Sequence, residues 1–258
     1  MRVNKGFAWR ESTPVFSIIT AVRNSGHLID RTIASIQGQN YRNFEWIIID
    51  GASTDDTLER IQSASVNVAI WISEPDNGIS DAWNKGLAIA RGGHVLILNA
   101  GDTYDSEFLN AIHRQLNDNK IICSHARLIS ESGRNLGIFR AEPSKLGRGM
   151  HVPHNWCAVP RKHYLSLGFY SNIPLSMDFA WFHRYFKIFG VTGFEVISQA
   201  LGDYYLGGKS DEYYLQSFKW NEHILATNGT NPFVALGYRI AYSVKHAIKL
   251  RLLRRGLR

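Results

Sequence analysis

Trp46-Ile47-Ile48-Ile49-Asp50-Gly51 is an unbroken apolar run that stops abruptly at a carboxylate and a glycine. A run of that length without alternation suits a strand covered on both faces, as parallel strands are. Upstream, Phe16-Ser17-Ile18-Ile19-Thr20-Ala21-Val22 reads the same way and ends in the turn Arg23-Asn24-Ser25-Gly26. Between them Leu28, Ile29, Ile33 and Ile36 recur at helical spacing until Gly38. Downstream, Ser53-Thr54-Asp55-Asp56 offers capping oxygens for a short helix to about Ala64, and Val68-Ala69-Ile70-Trp71-Ile72 makes a third strand. After Glu74-Pro75-Asp76-Asn77-Gly78 comes a helix whose apolar stripe is Ile79, Trp83, Leu87 and Ala90, with Asp81, Asn84 and Lys85 on another face. His94 to Leu98 is the fourth strand, running into Asn99-Ala100-Gly101-Asp102.

Four strand-helix alternations predict an α/β fold with a doubly wound, mostly parallel sheet, helices on both faces and right-handed crossovers. Ligands of such sheets bind beyond the carboxyl ends of the strands. That edge gathers Arg23 and Asn24, Asp50 with Ser53 and Asp55, the segment from Glu74 to Gly78, and Asn99 to Asp102. A lone Asp at such a junction is ordinarily a helix cap. Five carboxylates on one rim (Asp50, Asp55, Asp76, Asp81 and Asp102) instead call for a cation or for hydrogen-bond donors. No glycine-rich dinucleotide fingerprint follows the first strand, which counts against hydride transfer.

The totals bound the rest. With 258 residues, 45% hydrophobic and 20% charged, the chain can bury a sizeable core and is neither disordered nor fibrous. Its net charge of +7 points to an anionic partner, and Lys245, Lys249, Arg251, Arg254, Arg255 and Arg258 carry most of the excess. The two cysteines, Cys123 and Cys157, lack zinc-ligand spacing and read as buried thiols in a reduced compartment. Neither a signal-peptide core nor a run of about 18 apolar residues is present, so a cytoplasmic location is expected. From about Lys120 the pattern turns to short irregular strands and polar-aromatic segments, followed by helices from about Ser176 to Phe189 and from about Asp211 to Ala226.

Three segments together resemble glycosyltransferase family two, the inverting GT-A transferases, nearest the branch that builds bacterial envelope polysaccharides such as colanic acid. They are Ser17-Ile18-Ile19-Thr20, Trp46 to Asp55, and Ser73-Glu74-Pro75-Asp76-Asn77-Gly78-Ile79-Ser80-Asp81-Ala82-Trp83-Asn84-Lys85-Gly86. The resemblance spans roughly residues 15–210. It implies a GT-A domain over residues 1–230, with a nucleotide-sugar half over about 15–105 and an acceptor half over about 106–230, followed by a basic amphipathic helix over 231–258.

By that resemblance, Thr20, Val22, Arg23, Asn24, Asp50, Ser53 and Asp55 would hold the uracil and ribose of a UDP-sugar. Asp76, Gly78, Asp81, Asn84 and Lys85 would line its diphosphate and sugar. Asn99, Ala100, Gly101 and Asp102 fall where the family carries an Asp-x-Asp-like motif. Gly101 replaces an expected aspartate, leaving Asp102 as the ligand for Mg²⁺ or Mn²⁺. Asp178 would be the general base, its alternative role being that of a carboxylate favoured at a helix N-terminus. His154 and Asn155 match a His-Gln pair near donor or acceptor, or else His154 is structural. Gly208, Lys209 and Ser210 match a loop that covers the diphosphate. They also mimic a P-loop, but Asp203 stands where that motif needs glycine.

The acceptor implied is a lipid-linked or oligosaccharide chain. Between Phe233 and Lys249 the apolar Phe233, Val234, Leu236, Ile240, Ala241, Val244, Ala247 and Ile248 share one helical side. Two readings stand: a helix packed on the domain, or an interfacial helix on anionic lipid at the inner face of the cell membrane, where each nearby Lys or Arg adds about 1 kcal/mol. Nucleic acid is not an expected partner. The competing functions are a nucleotidyltransferase on a similar sheet and a non-catalytic module that binds sugar nucleotides or membrane.

Overall fold

The computed structural model describes residues 2–3, 13–64, 70–207 and 213–255. The chain runs β1 (Arg2–Val3), β2 (Phe16–Val22), α1 (Gly26–Gln37), β3 (Phe44–Asp50), α2 (Thr57–Ser63), β4 (Ile70–Ser73), α3 (Ile79–Ile89) and β5 (His94–Ile97). It continues through β6 (Thr103–Tyr104), α4 (Phe108–Arg114), β7 (Ile121–Ile129), β8 (Asn135–Phe139), β9 (Cys157–Pro160), α5 (Arg161–Leu167), α6 (Met177–Phe189), β10 (Phe194–Tyr205), α7 (Tyr214–Thr227) and α8 (Pro232–Arg255). Val68, Ala69, Asp211 and the loop candidates Gly208, Lys209 and Ser210 lie outside the described residues.

One mixed sheet has the order β1-β4-β3-β2-β5-β9-β7-β10-β6, with β8 paired to β7. From β4 to β5 it is parallel, with β2 between β3 and β5 and β4 paired to β3, while β1 adds an antiparallel edge on β4. The register Ile19↔Ile47 and Ile19↔Ile97 aligns the carboxyl ends of these strands. The expectation of parallel pairing holds there and breaks at β9. That strand inserts antiparallel between β5 and β7, before β7 and β10 restore a parallel pair.

Alternation inside the apolar runs explains why no polar face was visible in sequence. Ile19, Ile47, Ile49, Val95 and Ile97 pack with Trp83 and Leu87 of α3 and with Phe179, Trp181 and Phe182 of α6. Phe16, Ile18, Trp46, Ile48 and Leu96 face the other way, onto Ile29, Ile33 and Ile36 of α1 and Phe108 of α4. β2, β3 and β5 are each buried on both sides, as expected of central strands sandwiched by helices. Cys123 and Cys157, paired across β7 and β9, are free and buried, with their sulfurs 3.1 Å apart.

At the C-terminus α8 packs on α7, but by the side opposite its apolar stripe. Ala235 is fully buried, Arg239 pairs with Glu222, and the Tyr242 hydroxyl lies 2.6 Å from His151 Nε2. Phe233, Val234, Ile240 and Val244 point outward, Phe233 being 83% exposed. Among the described residues no helix is long and apolar enough to cross a membrane.

Candidate active site

The carboxyl ends of β2, β3 and β4 are knotted together by short side chains. Asn24, at positive φ, receives Thr54 N on its side-chain oxygen at 2.9 Å and donates its own backbone N–H to Ser53 Oγ at 2.8 Å. Asp50 is fully buried, and its carboxylate accepts from Ser53 N, Ser53 Oγ and Ser73 Oγ. Asp55 accepts from Gly26 N and from the Thr57 hydroxyl, and that Thr57 bond, against some desolvation, holds its carboxyl below the usual range. Both carboxylates therefore tie loops together at the rim. Thr20, whose hydroxyl receives Trp46 Nε1 at 3.0 Å, is fully enclosed, and Val22 is 5% exposed. These two lie in the interior rather than on the cleft, because their strand is covered on both faces. Arg23 is exposed at the rim, its Cδ 3.3 Å from where a Cβ on Gly51 would stand.

The next loop is organised by charge. Asp76 accepts from Gly78 N, whose φ of +108° suits glycine, and Asp76 Oδ2 would stand 2.3 Å from a Cβ on Gly51. Only a glycine at 51 lets Asp76 lie across the end of β3. Asp81 accepts from Asn77 N, and Lys85 bridges Glu74, Asp81 and the Pro75 carbonyl. Asn84 does not point to that loop. Its amide donates to Tyr170 O and accepts from Tyr170 N, locking α3 to the segment after α5.

Asn99 to Asp102 form the centre. Gly101 has φ +100°, its N–H meets Thr32 Oγ1 at 2.9 Å, and Leu28 fills the space beside it. That backbone conformation supplies a physical reason for glycine where the family pattern leads one to expect aspartate. Asp102 is 5% exposed; Oδ2 accepts from Asn155 Nδ2 at 2.5 Å and Oδ1 from Tyr205 N at 3.1 Å. Asn99 Nδ2 reaches Asn155 Oδ1 at 3.4 Å, while Asn99 Oδ1 is buried without a partner.

The second half of the chain enters through the turn His154–Trp156. Asn155 meets Asp102 from one side, and His154 lies behind it, its Nε2 2.7 Å from Tyr170 OH and its ring edge-on to Trp83. Burial drives His154 down to about 3, so the ring is neutral. Asp178 opens α6 after Ser176, a non-glycine residue at φ +62°, and its carboxyl accepts from Phe179 N at 2.8 Å. Burial pushes this carboxyl above its ordinary value, and its charge is felt at Tyr170. Hydrogen bonds thus join Asp102 to Asn155 and His154 to Tyr170, and Phe182 of α6, the helix that Asp178 opens, packs edge-on against His154. Tyr164 and Tyr170, hydroxyls 2.7 Å apart, were not legible as site residues, because their signal was only a polar-aromatic segment.

Among the described residues no group of three or more His, Cys, Asp or Glu side chains could cage a metal. Asp102 is the carboxylate at this centre, and a carboxylate oxygen can accept from more than one partner. It fits an ion held mainly by water and by a ligand's phosphates, which is how Mg²⁺ is ordinarily bound.

Known proteins agree with this architecture. The chain is 38% identical over 94 residues to the uncharacterized glycosyltransferase Rv1514c of Mycobacterium tuberculosis, covering 36% of each chain. It is 33% identical over 102 residues to the PGL/p-HBAD biosynthesis glycosyltransferase of Mycobacterium bovis BCG, 38% of this chain and 40% of that one. These matches span little more than a third of the relatives' length. In fold, it is similar to Staphylococcus aureus TarS 1-349 in complex with UDP-GlcNAc, with a TM-score of 0.64 at 14% identity over 81% of this chain and 65% of that one. It is likewise similar to the mannosyltransferase PcManGT of Pyrobaculum calidifontis in complex with GDP-Man and Mn²⁺, with a TM-score of 0.61 at 17% identity over 96% and 80%. The sheet with its flanking helices is the GT-A architecture, and, matched by the family's sequence profile over residues 17–186, the chain belongs to glycosyl transferase family 2.

Proposed function

We propose that this chain is an inverting glycosyltransferase that moves a sugar from a nucleotide-diphosphate donor, a UDP-sugar, to a hydroxyl of a lipid-linked glycan in envelope or exopolysaccharide synthesis. The observation that supports the proposal is the turn His154–Trp156, which binds Asp102 through Asn155 and rests through His154 on Tyr170 and on Phe182 of the helix that Asp178 opens. Donor binding falls to the rim of Arg23, Asn24, Ser53, Asp76 and Lys85, with Asp50 and Asp55 shaping its loops. Solved neighbours that hold UDP-GlcNAc and GDP-Man favour a nucleotide-sugar. A relative named for teichuronic acid biosynthesis, TuaG of Bacillus subtilis, favours an envelope role.

In this reading the acceptor oxygen attacks the anomeric carbon as the bond to the β-phosphate oxygen breaks. Asp178 takes the acceptor proton, and the nucleoside diphosphate leaves with inversion. A carboxylate raised by burial is a stronger base than one in water, which suits that task. Asp102 would hold Mg²⁺ or Mn²⁺, which when bound neutralises charge on the departing diphosphate. The outward apolar side of α8, with the basic sequence that follows Val244, would rest the enzyme on anionic lipid at the inner face of the membrane.

A thermal-shift screen of nucleotide-sugars with and without Mn²⁺, followed by product analysis, tests the reading. Nucleoside diphosphate released from a sugar donor is the expected product. Pyrophosphate from a nucleoside triphosphate would establish a nucleotidyltransferase instead, and binding without turnover under every acceptor would leave a non-catalytic module.

A further inference from the structure

Three polar groups behind the cleft form a closed chain: Tyr164 OH to Tyr170 OH at 2.7 Å, and Tyr170 OH to His154 Nε2 at 2.7 Å. Tyr164 is 1% exposed and Tyr170 4%, so their hydrogens have to be satisfied by protein. Among the described residues Tyr164 OH has no other partner. If His154 carried its proton on Nε2, Tyr170 would donate to Tyr164 or keep its hydrogen idle, and one buried hydroxyl hydrogen would have no acceptor. Only one arrangement leaves neither hydroxyl hydrogen idle: Tyr164 donates to Tyr170, and Tyr170 donates to a bare Nε2. An unsatisfied buried donor is costly enough to favour that arrangement roughly ten- to hundredfold. The proton of the neutral ring is then on Nδ1. Among the described residues Nδ1 has no hydrogen-bond partner, and with His154 8% exposed its hydrogen is left for water or a ligand.

We propose that Tyr170 is a positioning residue that fixes His154 as its Nδ1–H tautomer, a neutral hydrogen-bond donor for an oxygen of the donor's diphosphate near where Asn155 meets Asp102. The ligand half rests on the nucleotide-sugar reading above; the tautomer half does not. A phosphate oxygen is an acceptor that cannot donate, and it matches a nitrogen that can donate but not accept. The arrangement also settles a division of labour. His154 has no accessible lone pair with which to take a proton from an acceptor hydroxyl, so proton removal falls to Asp178.

The test is ¹⁵N–¹H correlation of the ring nitrogens in full-length protein labelled at histidine, with His154 assigned by its loss in His154→Gln. The free protein at neutral pH should show the Nδ1–H pattern. Tyr164→Phe should keep it, because Tyr170 can still donate to Nε2, whereas Tyr170→Phe should convert it to a mixture of tautomers. An Nε2–H pattern in the free protein, or a pattern unmoved by Tyr170→Phe, overturns the proposal. Adding UDP should shift the Nδ1–H resonance. Saturating UDP binding by calorimetry with that resonance unmoved overturns the diphosphate contact. Failure of both UDP and GDP to bind, with the tautomer intact, refutes the nucleotide-sugar reading and leaves the histidine assignment, measured without nucleotide, in place.

Discussion

Asp178→Asn separates what the carboxylate does for chemistry from what it does to the fold. The hydrogen bond from Phe179 N can be kept by an amide oxygen, and among the described residues Asp178 has no ion pair to lose. Losing a general base costs about 10²- to 10⁴-fold, or about 2.7 to 5.4 kcal/mol in the barrier. Stability should move the other way. Burial raises the folded-state value, so between the unfolded carboxylate's pKa and the folded one the native state binds more protons, and stability falls as pH rises. Wild type carries that penalty at neutral pH and the amide does not. The variant should therefore be at least as stable as wild type at pH 7, with the gap closing as pH falls to the ordinary carboxylate range near 3.8. Urea titrations of both proteins across that pH range, paired with an assay of nucleoside diphosphate release, read the two effects separately. Turnover within about tenfold of wild type removes Asp178 as the base. A variant less stable than wild type at pH 7 and equal to it at pH 5 refutes the sign of the burial argument.

Asp102→Ala should abolish any strengthening of UDP binding by Mn²⁺ in calorimetric titrations; metal-dependent binding that survives the substitution removes Asp102 as a ligand. Arg127, whose guanidinium joins Asp105 at 2.5 Å and Asp203 at 2.5 Å, clamps β7, β10 and the loop after β6. Arg127→Met should cost about 1 to 3 kcal/mol in denaturant titrations, discounted from a fully buried pair because the groups are partly solvated. Phe233→Asp with Ile240→Asp should abolish sedimentation with phosphatidylglycerol vesicles while leaving the melting temperature nearly unchanged, because both side chains face outward. Retained sedimentation would place the lipid contact elsewhere.

How much was legible in sequence follows from which forces act locally. The runs Phe16 to Val22 and Trp46 to Asp50, and the stripe through Trp83 and Leu87, showed their elements because burial on both faces or on one stripe leaves a pattern along the chain. The four-residue β9 left none, since Cys157-Ala158-Val159-Pro160 is too short to show a period. Its place between β5 and β7 also depends on partners distant in sequence. At the site, the residue types along the carboxyl edge were readable, but not where their side chains turn. Asn84 reaches Tyr170, 86 residues away, and Asp50 is consumed by Ser53 and Ser73. Both outcomes are set by tertiary packing that no local motif encodes. Gly101 shows the reverse: its departure from the family pattern has a backbone reason that only φ reveals.

The three described non-glycine residues with positive φ, Asn24, Ala52 and Ser176, stand at three separate loops, the first two beyond β2 and β3 and the third at the start of α6. For Ala52 and Ser176 that conformation costs on the order of 1 kcal/mol each. Strain is thus concentrated in loops of the proposed site, while the sheet beneath carries little of it. A selection for heat tolerance alone would find glycine at 52 and 176 an easy gain. The same substitutions would let the loop after β3 and the start of α6 wander, so such a lineage would gain durability by loosening the two segments that carry the proposed donor rim and the proposed base.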